Sequence, residues 1–496
     1  MICVIFVTFV YIIFNPLAMK VLENYFFVSL FSLFIISCSS ENNTPEPQSN
    51  NNTPITPTYE TKVIPKYSQR VGNANEGYKY LTTGDYMSSG IPYDAFILGL
   101  GKDNSNTLNR SGDNAVIPFE FTAITAKNGV RIVALNCLQC HAAKIDNQFI
   151  VGLGNTSIDF TKNRANDIAT LNAGVKILYG ENSPEWKAYE TFKKNIEIVG
   201  PKTITKTIGV NPADKTTLAL TAYRDKNTLE LIENPAISVT NEVIPSDVPA
   251  WWLLKKKNAL FYHAIGREDF SRSMITMILA TLNDKEKAEE VDAKMKDILA
   301  YIYSLEAPKY PFEIDQNLAK TGETIFKNNC TVCHGTYGTN SSYPNLLVSL
   351  KTIGTDAALS NFYSNSSNES TYFKDWFNTG WFGNGSDGLM VKADGGYIAP
   401  PLDGIWATAP YFHNASVPTI EGVLNSKIRP KYWSRTFDDT DFNKEKVGWN
   451  HTKENSKINN QTYDTTIYGY GNSGHTFGDK LTDTERNALI TYLKTL

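Results

Sequence analysis

Cysteine is scarce in this chain, and none of it is spare. Six occur in 496 residues, at Cys3, Cys38, Cys137, Cys140, Cys330 and Cys333. The first two lie in an apolar N-terminal leader, and the other four form two closely spaced pairs. Once those pairs are used, no thiols are left for structural disulfides. Excess charge of one sign is lacking too. A net charge of −4 argues against a nucleic-acid binder and against a polybasic membrane patch. No strand–helix–strand alternation of the kind that builds a parallel sheet is visible. Histidine is rare, with six in all. What remains is ordinary for a globular protein: 42% apolar and 12% aromatic residues, enough for a sizeable core. The length suits two or three domains.

The two cysteine pairs carry the chemistry. They read Cys137-Leu138-Gln139-Cys140-His141 and Cys330-Thr331-Val332-Cys333-His334. Each is C-x-x-C-H, the attachment pattern of a c-type haem, in which two thiols add to the haem vinyl groups and the adjacent imidazole binds iron. A redox C-x-x-C needs no histidine directly after both pairs. A zinc site needs further Cys or His at finger-like spacing. Two covalent haems c are therefore expected, held by Cys137, Cys140, His141 and by Cys330, Cys333, His334. Attachment of this kind happens outside the cytoplasm, so export is expected.

Residues 1–38 read as targeting sequence. Two apolar runs, Met1 to Phe14 and Phe26 to Ser37, are separated by Asn15-Pro16. Met19-Lys20 opens a better signal peptide than Met1, leaving two candidate starts. The second run ends Ile35-Ile36-Ser37-Cys38, which resembles a bacterial lipobox. Lipidation at Cys38 would anchor the exported protein to a membrane by acyl chains, in the periplasm or at the cell surface. The alternatives are a plain membrane anchor or a secretory signal. Residues 39–61 are rich in Ser, Asn, Thr, Pro and Gln and predict a flexible tether.

A first haem domain is expected over residues 62–313, enlarged by an insertion, and a second over 314–496. The lead-in to Cys137 is β-branched, Arg131-Ile132-Val133-Ala134-Leu135, so the first site departs from a small cytochrome. Val291, Met295, Ile298, Ile302 and Leu305 repeat at helical spacing up to Pro308. Leu318, Gly322, Ile325 and Phe326 predict a helix running into Cys330. Its expected partner is the terminal helix, with Thr482-x-x-Glu485 as a capping box and Leu489, Leu493 and Leu496 inward. The fold class expected is mainly α: two cytochrome c-like domains with long loops.

The sixth iron ligand decides the chemistry, because an open haem face binds O₂ or peroxide and a closed one moves electrons. His263, His413, His451 and His475 are the histidines left over. His475 lies among glycines, Gly471 to Gly478, just before the closing helix. Met390 competes for the same iron. His413 sits in the aromatic run Ala409 to Asn414, suited to a haem edge or a propionate. His451 lies in a polar run and reads as solvated. His263 and Glu268 are candidates for a distal wall of the first haem, Glu268 as general acid for O–O cleavage. Asp438-Asp439-Thr440-Asp441 offers carboxylates for an interdomain Ca²⁺, or is a solvated turn.

Pro400 to Asn414 resembles the second-domain signature of the di-haem cytochrome c peroxidase superfamily, which includes the methylamine-dehydrogenase-maturing enzymes and the rubber oxygenases. Asn136 to His141, Gly152 to Asn155, Asp247 to Asn258, Arg429-Pro430 and Gly474 to Gly478 resemble the rubber-oxygenase branch most. The likeness spans about Val130 to the C-terminus, leaving out Thr161 to Leu231. It implies a reactive first haem on His141, a bis-histidine second haem on His334 and His475, and Tyr411 as an aromatic relay between them. Two positions depart from the branch. Ala415 stands where a glycine follows His-Asn. His263 and Glu268 put polar groups near a wall that is apolar in rubber oxygenases, which favours peroxide over a hydrocarbon. A redox enzyme is thus expected, taking peroxide or O₂ and electrons from a partner protein or small donor. An electron carrier and a dioxygenase are the alternatives.

Overall fold

The helix expected around Val291, Met295, Ile298 and Ile302 runs from Lys285 to Ser304 in the computed structural model, and those four side chains are buried. Asp284 caps it, accepting from the Lys287 N–H, and Leu305 ends it. It packs against Ala74–Thr83, a helix capped by Asn73. The structure describes residues 59–282 and 284–496. Cys3, Cys38, the leader and nearly all of the tether lie outside them, and so does the lipid-anchor expectation. No helix among the described residues is long and apolar enough to cross a membrane.

The helix leading into the second motif is Gln316–Asn329, with Asp315 accepting from the Asn317 and Leu318 N–H groups. It lies against the terminal helix Asp483–Leu493, whose Thr482–Glu485 capping box is formed in both directions. The crossing is close because Gly322 has no side chain. A Cβ there would sit 1.9 Å from the Ala488 carbonyl oxygen.

The expectation of a mainly α fold is overturned. Among the described residues 39% are helical and 13% are in strands, spread over several small antiparallel sheets. The β-branched lead-in is the strand Arg131–Leu135, central in a sheet between Ile91–Pro92 and Phe121–Thr125. Directly after His141 the chain makes a hairpin, Ala142–Ile145 on Gln148–Val151. Its two-residue turn, Asp146-Asn147, has both φ values positive, as a tight hairpin turn requires. These strands are two to five residues long, too short to show an alternating pattern in sequence.

Two further sheets join the parts of the chain before and after residue 313. Thr61–Val63 and Tyr397–Ile398 both pair with Leu346–Val348, and Gly266–Glu268 pairs with Leu389–Val391. Glu60–Leu496 clusters as one unit. The insertion after the first motif holds the helices Ala165–Tyr179, Pro184–Val199 and Ala213–Ala222. Pro184 at the first helical position and Ser183 as cap start the second of these.

Candidate functional site

At the second motif, the Gln316–Asn329 helix hands over to a short helical turn, Thr331–His334. The His334 N–H donates to the Cys330 carbonyl at 3.0 Å, closing the turn that holds both cysteines and the histidine. His334 Nδ1 lies 2.8 Å from the Pro400 carbonyl oxygen. A ring held through one nitrogen to a carbonyl presents the other to a metal in a fixed direction.

The ring of His475 is the one set against it, with centroids 6.3 Å apart and planes at 63°. Two imidazoles on opposite faces of one metal, with bonds of about 2 Å and the ring radii added, come to roughly 6 Å. The loop holding His475 is built by contacts the glycines permit. His475 itself has φ +45°, and its N–H donates to the Ile353 carbonyl at 2.7 Å. Gly474 has φ +72°, and a Cβ there would lie 2.1 Å from the Gly354 carbonyl carbon. The glycine therefore serves a backbone–backbone approach. Arg429 clamps the same loop, donating to the Asn472, Gly474 and His475 carbonyls at 2.8, 2.6 and 3.2 Å. Met390 is elsewhere, on a strand opposite Arg267.

At the first motif the turn Leu138–His141 is fixed from three sides. Asn136 Oδ1 accepts from the Leu138 N–H, and Asn155 Nδ2 donates to the Gln139 carbonyl at 3.0 Å. Asn211 Nδ2 reaches Cys140 Sγ at 3.5 Å. The ring stacked on His141 is an indole, Trp251, at 4.5 Å and 20°. His141 Nδ1 is buried without a hydrogen-bond partner.

A polar group around His263 and His413 was only half revealed by the sequence. His263 is 3% exposed and both its ring nitrogens lack partners. Its ring stacks on Tyr363 at 4.7 Å, and its Nε2 is 3.8 Å from Asp214 Oδ1. Tyr363 donates its hydroxyl to that same Asp214 oxygen at 2.5 Å. His413 stacks on Tyr397 at 4.0 Å and 18° and leaves Nε2 unpartnered. Its carbonyl accepts from the Asp247 N–H at 2.6 Å, and Asp247 Oδ2 accepts from the Tyr262 hydroxyl at 2.6 Å.

Burial sets the charges here. It pushes His141, His263, His413 and His475 down to about 3, so these imidazoles are neutral at pH 7, the form that binds iron. It raises the Asp247 carboxyl to about 7 and lowers the Lys257 ammonium to about 8.

The other expected residues fall differently. Glu268 lies on the Gly266–Glu268 strand with φ +64°, where its carbonyl accepts from Gln69, and it is not among the partners of His263. Tyr411 is buried in the core that holds Trp406 and Trp449, and its hydroxyl lies 3.2 and 3.3 Å from the Ile405 and Val447 carbonyls. His451, read as solvated, is half-buried against the Trp449 carbonyl at 3.2 Å. The Asp438 to Asp441 run is a turn. Asp438 accepts from Thr440 and Asp441 from Thr436 and Asn450. No group of three or more His, Cys, Asp or Glu converges as a metal site among the described residues.

Residues 396–434 match the family model described as RoxA-like, cytochrome c-like. This segment is cytochrome c-like. It carries Pro400, which receives His334, along with Tyr411 and His413. A cytochrome c-like domain implies covalent haem c. The residues present fit that group: among the described residues the four motif cysteines are free of disulfides, and each pair is followed by a half-buried imidazole that desolvation keeps neutral. Two relatives come from Sinorhizobium fredii (strain NBRC 101917 / NGR234). The uncharacterized protein y4iM is 27% identical over 209 residues, 38% of this chain and 46% of that protein. The uncharacterized protein y4iJ is 38% identical over 126 residues, 23% of this chain and 20% of that protein. The chain thus matches less than half the length of either relative.

Trp251, Asp247, Tyr262, Asp214, Tyr363 and Lys257 were given no role by the sequence. Asp247 and Trp251 lie inside a stretch singled out only for its likeness to a family. Asp214 and Tyr363 carry no local signal, because their contact joins residues 149 positions apart.

Proposed function

We propose that this protein is a di-haem c-type redox enzyme. Cys137, Cys140 and His141 would hold one haem c, which would supply iron for reaction with peroxide or O₂, and Cys330, Cys333, His334 and His475 would hold a second, which would supply electron storage and transfer. One observation carries the reading: the two motif histidines have different ring partners. His334 is opposed by another imidazole at 6.3 Å, whereas His141 is covered by an indole. Two histidines hold an iron closed, and one histidine leaves a face for a reactant.

When bound, haem c supplies redox-active iron at each motif. The protein's own residues do the rest. Pro400 fixes the His334 ring, Arg429 holds the loop of His475, and the indole of Trp251 shields His141 from water. His263 is a buried neutral imidazole with two unpartnered nitrogens, suited to accept or give a proton. The polar surroundings of His263 favour peroxide over an extended hydrocarbon substrate. A dioxygenase on an unsaturated apolar substrate is the second reading, favoured by the RoxA-like match.

Low-temperature EPR of the ferric protein tests the haem assignment. One high-spin signal and one low-spin bis-histidine signal are expected, and His475→Ala should abolish the low-spin bis-histidine signal. An unchanged spectrum in that variant would remove His475 from the iron. Steady-state turnover of hydrogen peroxide with a reduced cytochrome separates the two reactions. O₂ uptake with an alkene, and no peroxide turnover, would establish the second reading instead.

A further inference from the structure

Two phenols share an arrangement that neither packing nor ion pairing explains. Tyr262 donates to Asp247 Oδ2 at 2.6 Å and Tyr363 to Asp214 Oδ1 at 2.5 Å. Tyr363 is fully buried and Asp247 is 7% exposed, while Tyr262 and Asp214 are half-buried, the Asp214 side chain being 16% exposed. Structural carboxylates at such depth are normally matched by an arginine or lysine, because an unpaired buried charge costs several kcal/mol. Among the described residues neither carboxylate is paired with a lysine or arginine. Asp247 keeps its second oxygen without any partner, and the basic side chain set against Asp214 is His263, which is neutral, at 3.8 Å. The same molecule pairs its other buried carboxylates normally: Asp292 with Arg70 and Arg272, and Glu369 with Lys215.

A phenol bonded to a single, uncompensated carboxylate is set up for one kind of chemistry. Loss of an electron makes a phenol strongly acidic, and it becomes a neutral radical only if a base takes its proton at once. We propose that Tyr262 and Tyr363 are redox-active, each losing one electron and passing its hydroxyl proton to Asp247 or Asp214. The phenolic O–H bond breaks, the carboxyl O–H bond forms, and the electron goes to a peroxide-derived oxidant. Two tyrosines discharged in this way supply the two electrons that, with two protons from solvent, reduce one hydrogen peroxide to two waters. The placement suits this. Asp247 lies four residues before Trp251, whose ring covers His141, and Tyr363 stacks on His263. Burial keeps each radical from solvent reductants. The proposal rests on the redox-enzyme reading for its oxidant alone.

The test uses the full holoprotein and two oxidants, hydrogen peroxide and a photogenerated ruthenium(III) tris-bipyridine, with rapid-freeze EPR. A radical signal that narrows on ring-deuterated tyrosine is expected with both. It should fall by about half in Tyr262→Phe and in Tyr363→Phe and nearly vanish in the double variant, as for two independent sites. Asp247→Asn and Asp214→Asn keep both phenols but remove the bases, and should lower the signal as much. Those variants decide the matter if a phenylalanine variant fails to fold. A tyrosyl signal undiminished in the double variant, or none from the ruthenium oxidant, overturns the proposal. A signal from ruthenium but not from peroxide supports the tyrosines and removes peroxide as the substrate.

Discussion

Asp247 shows how a single side chain sets conditions for the whole site. Burial raises its carboxyl to about 7, with the Tyr262 hydrogen bond working the other way. The native state therefore holds this proton more tightly than the unfolded chain. Its contribution to stability is complete below the ordinary carboxylate range and is lost as pH rises to about 7. The wild type should lose on the order of a few kcal/mol from this group across that interval. Asp247→Asn, which keeps an acceptor for Tyr262, should flatten the decline, as read from urea midpoints at pH 5 and pH 8. Equal slopes in the two proteins would remove Asp247 as the cause. Ala415 is another single residue under tension. It takes the left-handed conformation, φ +58°, which favours glycine. The conformational cost is about 1–2 kcal/mol. Its buried methyl returns about 0.8 kcal/mol, and its stiffer unfolded chain a further few tenths. Ala415→Gly should therefore change stability by less than about 1 kcal/mol.

At the scale of elements, the second motif depends on one helix crossing. Gly322→Ala would drive a methyl into the Ala488 carbonyl, 1.9 Å away, and neither backbone can retreat without opening the core around Phe326. A loss of about 1–3 kcal/mol is expected, with the His475 ligand weakened before the Cys330–Cys333 attachment. Denaturant titration followed at the Soret band and by far-UV circular dichroism checks both parts. This crossing was legible in the chain because its signals are local: an apolar face at helical spacing, and a capping box at Thr482 and Glu485. The two C-x-x-C-H runs stand out for the same reason, since their residues lie side by side in the chain. The small sheets were not, because a strand such as Ile91–Pro92 or Tyr397–Ile398 becomes a strand only through its partner. Nor were the phenol–carboxylate pairs, one of which joins residues 149 apart. Glu268 was grouped with His263 by nearness in sequence. A strand and a positive φ intervene, and Asp214 takes that place beside the imidazole.

At the scale of the molecule, the segments before and after residue 313 are woven together. The strands Thr61–Val63 and Leu346–Val348 pair, as do Gly266–Glu268 and Leu389–Val391. The Trp251–Lys256 turn adds a bolt, with Trp252 Nε1 donating to the Asp403 carbonyl at 2.8 Å and Lys256 Nζ 2.7 Å from the Asp403 carboxylate. If both motifs hold haem as proposed, electron transfer between them should be unimolecular and insensitive to ionic strength from about 0.05 to about 0.5 M, a range over which exposed charge contacts are screened. Flash photolysis of the half-reduced protein across that range reads the rate. A rate that falls steeply with salt would mean that the halves move apart.

The neighbouring tryptophans give this bolt an unusual form. Trp251 lies on the imidazole of the first motif, while Trp252 grips the Asp403 carbonyl, three residues beyond the Pro400 that holds His334. One peptide unit, about 3.8 Å from Cα to Cα, thus spans the join. A disturbance of this short segment would therefore reach both motifs at once, through a stacked ring on one side and a hydrogen bond on the other.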